Sequence, residues 1–457
     1  ELNKNQKGTC GPRPDLSQFD STLVADPIDH LAAALPIKAK TSQGYWIRVW
    51  IPEDAISGNY SSDVLIKNNH EVIGKLKLTV QVQQRTLPQP DQWAFHLDLW
   101  QNPFAVARYH QVPLWSEEHF RILKTELQPY TEAGGKVITV PIMHHPWGGQ
   151  TYDPYETMIT WVRKIDGSWW FDYTIFDKWV EFMMDMGVKK EIGCYSMIPW
   201  KLSFLYFDQA TNSMKELKSK PGEQAYHDLW LSMLKDFATH LKSKGWFDIT
   251  HIAMDERPMP DMLKALKIIR EADPDFKVSL AGSLHKELSD ELNDYCIAIA
   301  EKFSEEMKAK RKAEGKITTY YTCCAESHPN TYTFSNPAEG AWIAWYAAKE
   351  NLDGYLRWAL NSWTIEPLLD SRFYTWGAGD TYLLYPGGRT CLRFENLVAG
   401  IQAYEKIRIL KTELQTQNKT ATLRKLERVL ESFDELQLLK TPANVVVEKA
   451  NLFINGL

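Results

Sequence analysis

The chain has 457 residues, 44% of them hydrophobic, and a net charge of −6; this exceeds one small domain and allows a large core. The pI near 6.1 offers no basic field, so nucleic acid is not an expected partner. No apolar run approaches the ~20 residues that cross a bilayer, so no membrane span is expected.

The opening "ELNKNQKGTCGPRPD" is polar and carries no signal peptide. The expectation is an exported chain in mature form, secreted or periplasmic. Six cysteines are scattered, and only Cys323 and Cys324 adjoin. Without a CxxC pair, neither a zinc ribbon nor a redox motif is indicated, and the cysteines read as buried thiols.

Residues 1–90 read as β. "GYWIRVWIPEDA" alternates apolar and polar, "SGN" is turn-like, and "YSSDVLI" and "EVIGKLKLTVQVQQRTL" follow. The short "IDHLAAAL" has the main helical period in this stretch. A sandwich-like domain, or part of one, fits. "LPQPDQW" is a Pro-marked boundary.

Beyond it, strands and helices alternate. Strands are expected at 93–100, 136–143, 191–198, 248–255, 276–282, 294–300, 316–324 and 354–363. Helices are expected from Ser116, over 175–188, 223–243, 259–272 and 301–314, and through "AEGAWIAWYAAKEN". The segment "PWKLSFLYFDQATNSMKELKSKPG" is a long insertion. Eight strands alternating with helices specify a (β/α)8 barrel over 91–390. Residues 391–457 read as C-terminal helices over 391–414 and about 420–438, then a tail whose "NVVVEKANLFI" resembles a strand. The octapeptide "RILKTELQ" occurs at 121–128 and at 408–415; its flanks differ, and it reads as two amphipathic helices, not a duplication.

Trp occurs 18 times and Tyr 20 times. Most Trp residues are core or interface. Those at expected strand ends, in "LDLWQNP", "HHPWGG", "SMIPW", "ALNSW" and "FYTWGAGD", instead suit the flat C–H faces of sugars.

"HIAMDERPMP" places Asp255 beside Glu256 at the end of the fourth barrel strand, where barrel enzymes carry their chemistry. One reading is a helix-start charge pair. The other is an acid/base device, because adjacent carboxylates in a partly dry site raise at least one pKa. An ordinary glycosidase pair faces across the sugar from different strands, about 5–9 Å apart. Adjacent carboxylates suit substrate-assisted hydrolysis, in which the substrate's 2-acetamido oxygen attacks C1. Glu256 is then the acid/base, and Asp255 holds the acetamide N–H and stabilises the cationic intermediate.

"MDERP", "GYLRWALNSW", "WGAGDTYLLYPG" and "RFENLVAGIQAYEKIRIL", in this order, resemble glycoside hydrolase family 123, the retaining N-acetyl-β-galactosaminidases. "YWIRVWIPEDAISGNYSSDVLI" is similar to the β-sandwich that precedes that family's barrel, here shorter than usual. The resemblance covers about residues 25–415. It implies a sandwich plus barrel, no metal or other cofactor, and the roles above for Asp255 and Glu256. The expected activity is exo-hydrolysis of terminal β-linked N-acetylhexosamine on a glycan, with GalNAc as the sugar. A two-carboxylate glycosidase using Asp98 or Glu326 with Glu256 is a second reading; a carbohydrate-binding relative without turnover is a third.

Further candidates for substrate binding are Asp98 and Trp100 at the end of the first strand, Tyr321 at the end of the seventh, Trp363 as the floor under the sugar, and Asp380 in "GAGD". His144 and His145 are read as sugar contacts, not metal ligands, because adjacent histidines on extended backbone point apart. Each has a bland alternative: a loop cap for Asp98, core for Trp363, a structural turn for Asp380.

Overall fold

The computed structural model describes residues 23–32, 35–374 and 376–457. Two compact units are present: residues 30–89, and residues 90–457 together with the segment up to 29. The short helical reading at "IDHLAAAL" runs into residues 33–34, outside the described residues.

The smaller unit is built on one antiparallel hairpin, Gly58–Asn68 with Glu71–Val82. Asn69 takes a left-handed φ of 53° at the turn, a conformation Asn tolerates. The expected strand in "GYWIRVWIPEDA" does not form: residues 44–55 join no ladder. Alternation favours a strand only when one face is buried. Trp46, Trp50, Ile66, Ile73 and Leu76 are all exposed, so nothing covers that face among the described residues.

The larger unit is the barrel. Its eight parallel strands are β1 (His96–Leu99), β2 (Val137–Pro141), β3 (Glu191–Tyr195), β4 (Thr250–Asp255), β5 (Lys277–Gly282), β6 (Asp294–Ala298), β7 (Ile317–Tyr321) and β8 (Gly354–Arg357). All eight fall within the expected stretches. They neighbour one another in chain order, and β8 pairs with β1. The ring closes between β1 and β2 through the bridge Leu97↔Gly135, with the Lys136 N–H donating to the Leu97 carbonyl at 2.9 Å. The strands are buried nearly end to end, as parallel strands covered on both faces must be.

Helices follow most strands: Pro103–His110 and Glu117–Glu132 after β1, Thr174–Asp185 after β2, Gln224–Lys244 after β3, Met259–Ala272 after β4, Glu305–Ala313 after β6, Glu339–Glu350 after β7 and Leu392–Thr416 after β8. Only the single turn Lys286–Leu288 separates β5 from β6. Ser116 caps its helix as expected, accepting from the His119 N–H. Both copies of "RILKTELQ" lie on helices.

Two hairpins rise from the face where the strands end: Thr160–Arg163 with Trp169–Asp172 after β2, and Ser203–Asp208 with Ser213–Lys218 after β3. They join through Val162↔Phe207 into one four-stranded sheet. The C-terminal segment is built of the helices Leu392–Thr416, Thr420–Leu430, Glu435–Leu438 and Ala443–Asn455, and "NVVVEKANLFI" lies in the last of them. Its buried residues Ala443, Val447, Ala450 and Ile454 recur at helical spacing, which overrides the strand preference of the valines. Among the described residues, no helix is long and apolar enough to cross a membrane.

Candidate active site

β4 delivers Asp255 and Glu256 to the mouth of the barrel, and one backbone torsion lets both face it. Strand side chains alternate, so a regular strand would send Glu256 outward. Glu256 instead adopts φ 47°, an uncommon left-handed state for a residue with a side chain and one that gathers at functional sites. Its N–H donates to the Ala281 carbonyl at 2.6 Å. Gly282, beside it, has no Cβ; one placed there would lie 3.3 Å from Glu256 Cα.

Each carboxylate has its own partners. Tyr321, at the end of β7, donates from its hydroxyl to Glu256 Oε1 at 2.9 Å. The Trp200 indole N–H donates to Asp255 Oδ2 at 3.2 Å. Arg257 does not salt-bridge Asp255; its Nε donates to the Asp255 carbonyl at 2.6 Å, and its guanidinium lies 4.8 Å from the centre of the Trp200 ring. Desolvation, then the neighbouring Glu256 charge, push the Asp255 carboxyl up to about 7, against the pull of Trp200, Arg257 and Trp147. Near neutral pH the pair therefore holds a proton that a solvated pair would have lost.

Beneath the pair lies an aromatic layer. Trp100, from the end of β1, stacks on Trp147 at 4.5 Å and meets Tyr195 at 4.8 Å; Trp147 lies 4.9 Å from Tyr195. All three are buried. The Trp147 indole N–H is buried without a hydrogen-bond acceptor, yet close enough to Asp255 to lower its pKa. It faces Asp255, as the Trp200 indole does.

The other expected site residues divide. Tyr321 is at the site, whereas its neighbour Tyr320 points outward and bonds the Ile343 carbonyl at 2.7 Å. Trp100 is in the floor. Asp98 sits two residues deeper on the same face of β1, 4% exposed, and accepts from the Trp100 indole at 3.3 Å; Trp100 covers it. Glu326 accepts from the Cys323 N–H at 2.8 Å on the loop after β7.

Trp363 corrects the expected sugar platform. It has no exposed surface, donates to the Leu384 carbonyl at 2.7 Å and packs edge-on against Tyr109 and His110. No face is left for a sugar. Asp380 is likewise interior: it pairs with Arg357, both side chains fully buried, and accepts from the Trp358 indole at 3.2 Å. Cys324 is disulfide-bonded, which corrects the reading of all cysteines as thiols.

His144 and His145 are half-buried on the loop after β2, and they do not point apart. His145 has φ 51°, which turns its ring to the side of His144. Both meet Glu156: His144 through Nδ1, His145 through Nε2 at 3.0 Å.

Trp147, Trp200, Tyr195, Arg257 and Glu156 escaped the residue-by-residue reading. The two tryptophans lie in "HHPWGG" and "SMIPW", flagged only as strand-end aromatics. Nothing local marks Glu156, which is brought in by the fold of its loop.

The sequence matches the family description "Glycoside hydrolase 123, catalytic domain" over residues 100–410 and "Glycoside hydrolase 123 N-terminal domain" over 1–68. The chain belongs to glycoside hydrolase family 123. It is similar to the solved family 123 glycoside hydrolase from Clostridium perfringens, a structure described for glycolipid glycan hydrolysis: 28% identity, 89% of this chain and 77% of that one covered, TM-score 0.80. More distant are a β-galactosidase from the psychrophilic Marinomonas ef1 (9% identity, 70% and 60% covered, TM-score 0.41) and a GH113 β-1,4-mannanase (12%, 68% and 98%, TM-score 0.36). No curated protein matches the sequence. Family 123 membership makes the barrel a glycosidase scaffold, with Asp255 and Glu256 at the mouth where such enzymes work.

Proposed function

We propose that this family 123 hydrolase is a retaining exo-β-N-acetylhexosaminidase that removes terminal β-GalNAc by substrate-assisted catalysis. The observation that carries the reading is the adjacent pair Asp255–Glu256, turned to one mouth by the left-handed backbone at Glu256. A nucleophile and an acid would need to face each other across the sugar; two neighbours can instead serve one cyclising substrate.

Asp255 accepts the acetamide N–H and orients the carbonyl oxygen toward C1. As that oxygen attacks, positive charge grows on the acetamide and the Asp255 carboxylate offsets it. Glu256 protonates the departing glycosidic oxygen, then takes a proton from the water that opens the oxazolinium ring. The C1–O bond to the aglycone breaks as the bond from the acetamide oxygen forms; water reverses that ring closure, so configuration is retained. The shared proton suits this division: a bound acetamide N–H favours the charged form of Asp255 and leaves the proton to Glu256. Trp100, Trp147 and Tyr195 supply the apolar floor for the acetamide methyl and the ring face.

The Clostridium perfringens relative supports glycolipid glycans as the substrate class. The disulfide at Cys324 supports an oxidising compartment, secreted or periplasmic. The test compares 2-acetamido with 2-hydroxy aryl β-galactosides and adds a thiazoline that mimics the cyclised intermediate. Cleavage of the acetamido sugar alone, with thiazoline inhibition, is expected. Equal cleavage of both sugars would overturn the acetamide as nucleophile.

A further inference from the structure

The loop after β2 gathers three side chains that the proposed hydrolysis does not use. His144 Nδ1, His145 Nε2 and the Glu156 carboxylate lie within 4.8 Å of one another. We propose that His144, His145 and Glu156 form a binding site for one divalent transition-metal ion of the zinc class.

The convergence is built by the backbone. The His145 N–H donates to the Tyr155 carbonyl at 2.8 Å, which zips the two arms of the loop and sets Glu156 against His145, 11 residues away in sequence. The left-handed φ at His145 brings the second imidazole round. Adjacent histidines on extended backbone could not do this.

The chemistry of the set selects the ion. Two imidazoles with one carboxylate are the ligands of many three-residue zinc sites, and bonds of about 2.0–2.2 Å can draw such a spread together. Calcium and magnesium prefer all-oxygen shells. The side chains are 19%, 42% and 45% exposed, so an ion and its remaining water ligands can reach them. A second set, His96 with Glu191 and Asp294, is equally compact but fully buried. There the carboxylates lift His96 to about 9, and a proton already provides the positive charge.

The site is a clasp, not a reacting centre. Pro146 and Trp147 follow His145 directly. The Trp200 N–H donates to the Pro146 carbonyl at 2.9 Å. An ion that closes His144 and His145 on Glu156 therefore fixes the segment that carries Trp147 and abuts Trp200, the two indoles nearest Asp255. Only this consequence rests on the proposed hydrolysis; the ion site itself does not.

The experiment is calorimetric titration of zinc chloride into chelator-treated full-length protein, with metal content measured after dialysis. Wild type is expected to take up one equivalent. Glu156→Gln and His145→Ala are each expected to lose it, while their metal-free melting temperatures match that of metal-free wild type. Failure of wild type to bind stoichiometric zinc would overturn the proposal, even if a variant did not fold. So would an equivalent that persists in Glu156→Gln, because the ion would then sit elsewhere. Hydrolysis is scored separately: zinc uptake without cleavage condemns the hydrolase reading and leaves the site standing.

Discussion

The barrel holds two groups of acids, one buried at its closed end and one partly open at its mouth, and they are handled in opposite ways. At the closed end, His96, His251, Glu191 and Asp294 form a cluster with no part more than 9% exposed. His96 Nε2 lies 3.2 Å from Asp294 and 3.8 Å from Glu191; His251 Nδ1 lies 3.0 Å from Glu191. Burial alone would raise Glu191, but His251 and His96 hold it down. At the open end, Asp255 and Glu256 have indole and phenol donors and one arginine that turns to the backbone. No salt bridge neutralises them among the described residues. Acids matched by cations are consistent with a structural role. Acids left with a surplus proton and no cation, at the open mouth of a barrel, suit a ligand-binding role.

Removing charge at each end should therefore damage different properties. Glu256→Gln is expected to lower hydrolysis of poor leaving groups by about 10² to 10⁴, and Asp255→Asn to lower kcat by about 10² to 10³. Nitrophenyl substrates should suffer less from Glu256→Gln in the first step, because that leaving group needs little protonation. Both variants should remain folded. Steady-state rates on a natural disaccharide and a nitrophenyl glycoside decide this; wild-type rates in either variant would move the chemistry elsewhere.

At the closed end, Asp294→Ala strands the buried His96, and breaking such a pair costs about 3–5 kcal/mol. Denaturant unfolding should report that loss. The fraction that remains folded should still cleave with near-normal KM. If stability is unchanged but KM rises sharply, the cluster belongs to the site and the contrast between the two ends fails.

The pH dependence sharpens the same contrast. His96 is raised from 6.5 to about 9 because Asp294, Glu191 and Asp98 together outweigh burial. Its contribution is fully present below the unfolded value and is lost as pH rises through about 9. Asp255 is raised from 3.8 to about 7. A raised carboxyl also favours the fold at low pH, and that contribution disappears between about pH 4 and 7. Stability curves of wild type and Asp255→Asn should thus diverge from pH 4 to 7 and run parallel above 8. Those of wild type and His96→Gln should diverge from about 6.5 to 9. Divergence of Asp255→Asn in the upper window would mean that the two ends are electrostatically one unit.

Much of this was legible in the sequence. Eight β-rich stretches separated by helical periods specified the barrel, and Asp255 beside Glu256 stood out as a like-charge pair at a strand end. The hairpin 160–172 was missed although "KIDGS" carries an Asp-Gly turn signal. Trp363 was misplaced because a strand-end tryptophan faces the pocket or the core according to a path that local sequence does not encode. The histidine argument failed at a single torsion: extended backbone separates adjacent rings, and φ 51° at His145 reunites them. The alternation in "GYWIRVWIPEDA" is genuine, but a strand needs a partner to form.

The smallest expected effect concerns Tyr321, the one hydrogen-bond partner of the Glu256 side chain among the described residues. Its hydroxyl donates to Oε1 at 2.9 Å, and hydrogen bonds to charged groups are worth about 1.5–3 kcal/mol. Tyr321→Phe removes the hydroxyl that holds Glu256 Oε1 in place. The change should act chiefly on the deglycosylation step, where Glu256 must take a proton from a positioned water. The loss in kcat should be roughly tenfold, for about 1.4 kcal/mol. At its optimum pH the variant should keep most of its rate on substrates limited by the first step, where Glu256 is an acid. Steady-state rates on fast and slow leaving groups separate these cases. If Tyr321→Phe instead raises KM for the 2-acetamido sugar and leaves kcat unchanged, then the hydroxyl turns to the acetamide oxygen once substrate enters, and its bond to Glu256 belongs to the free enzyme alone.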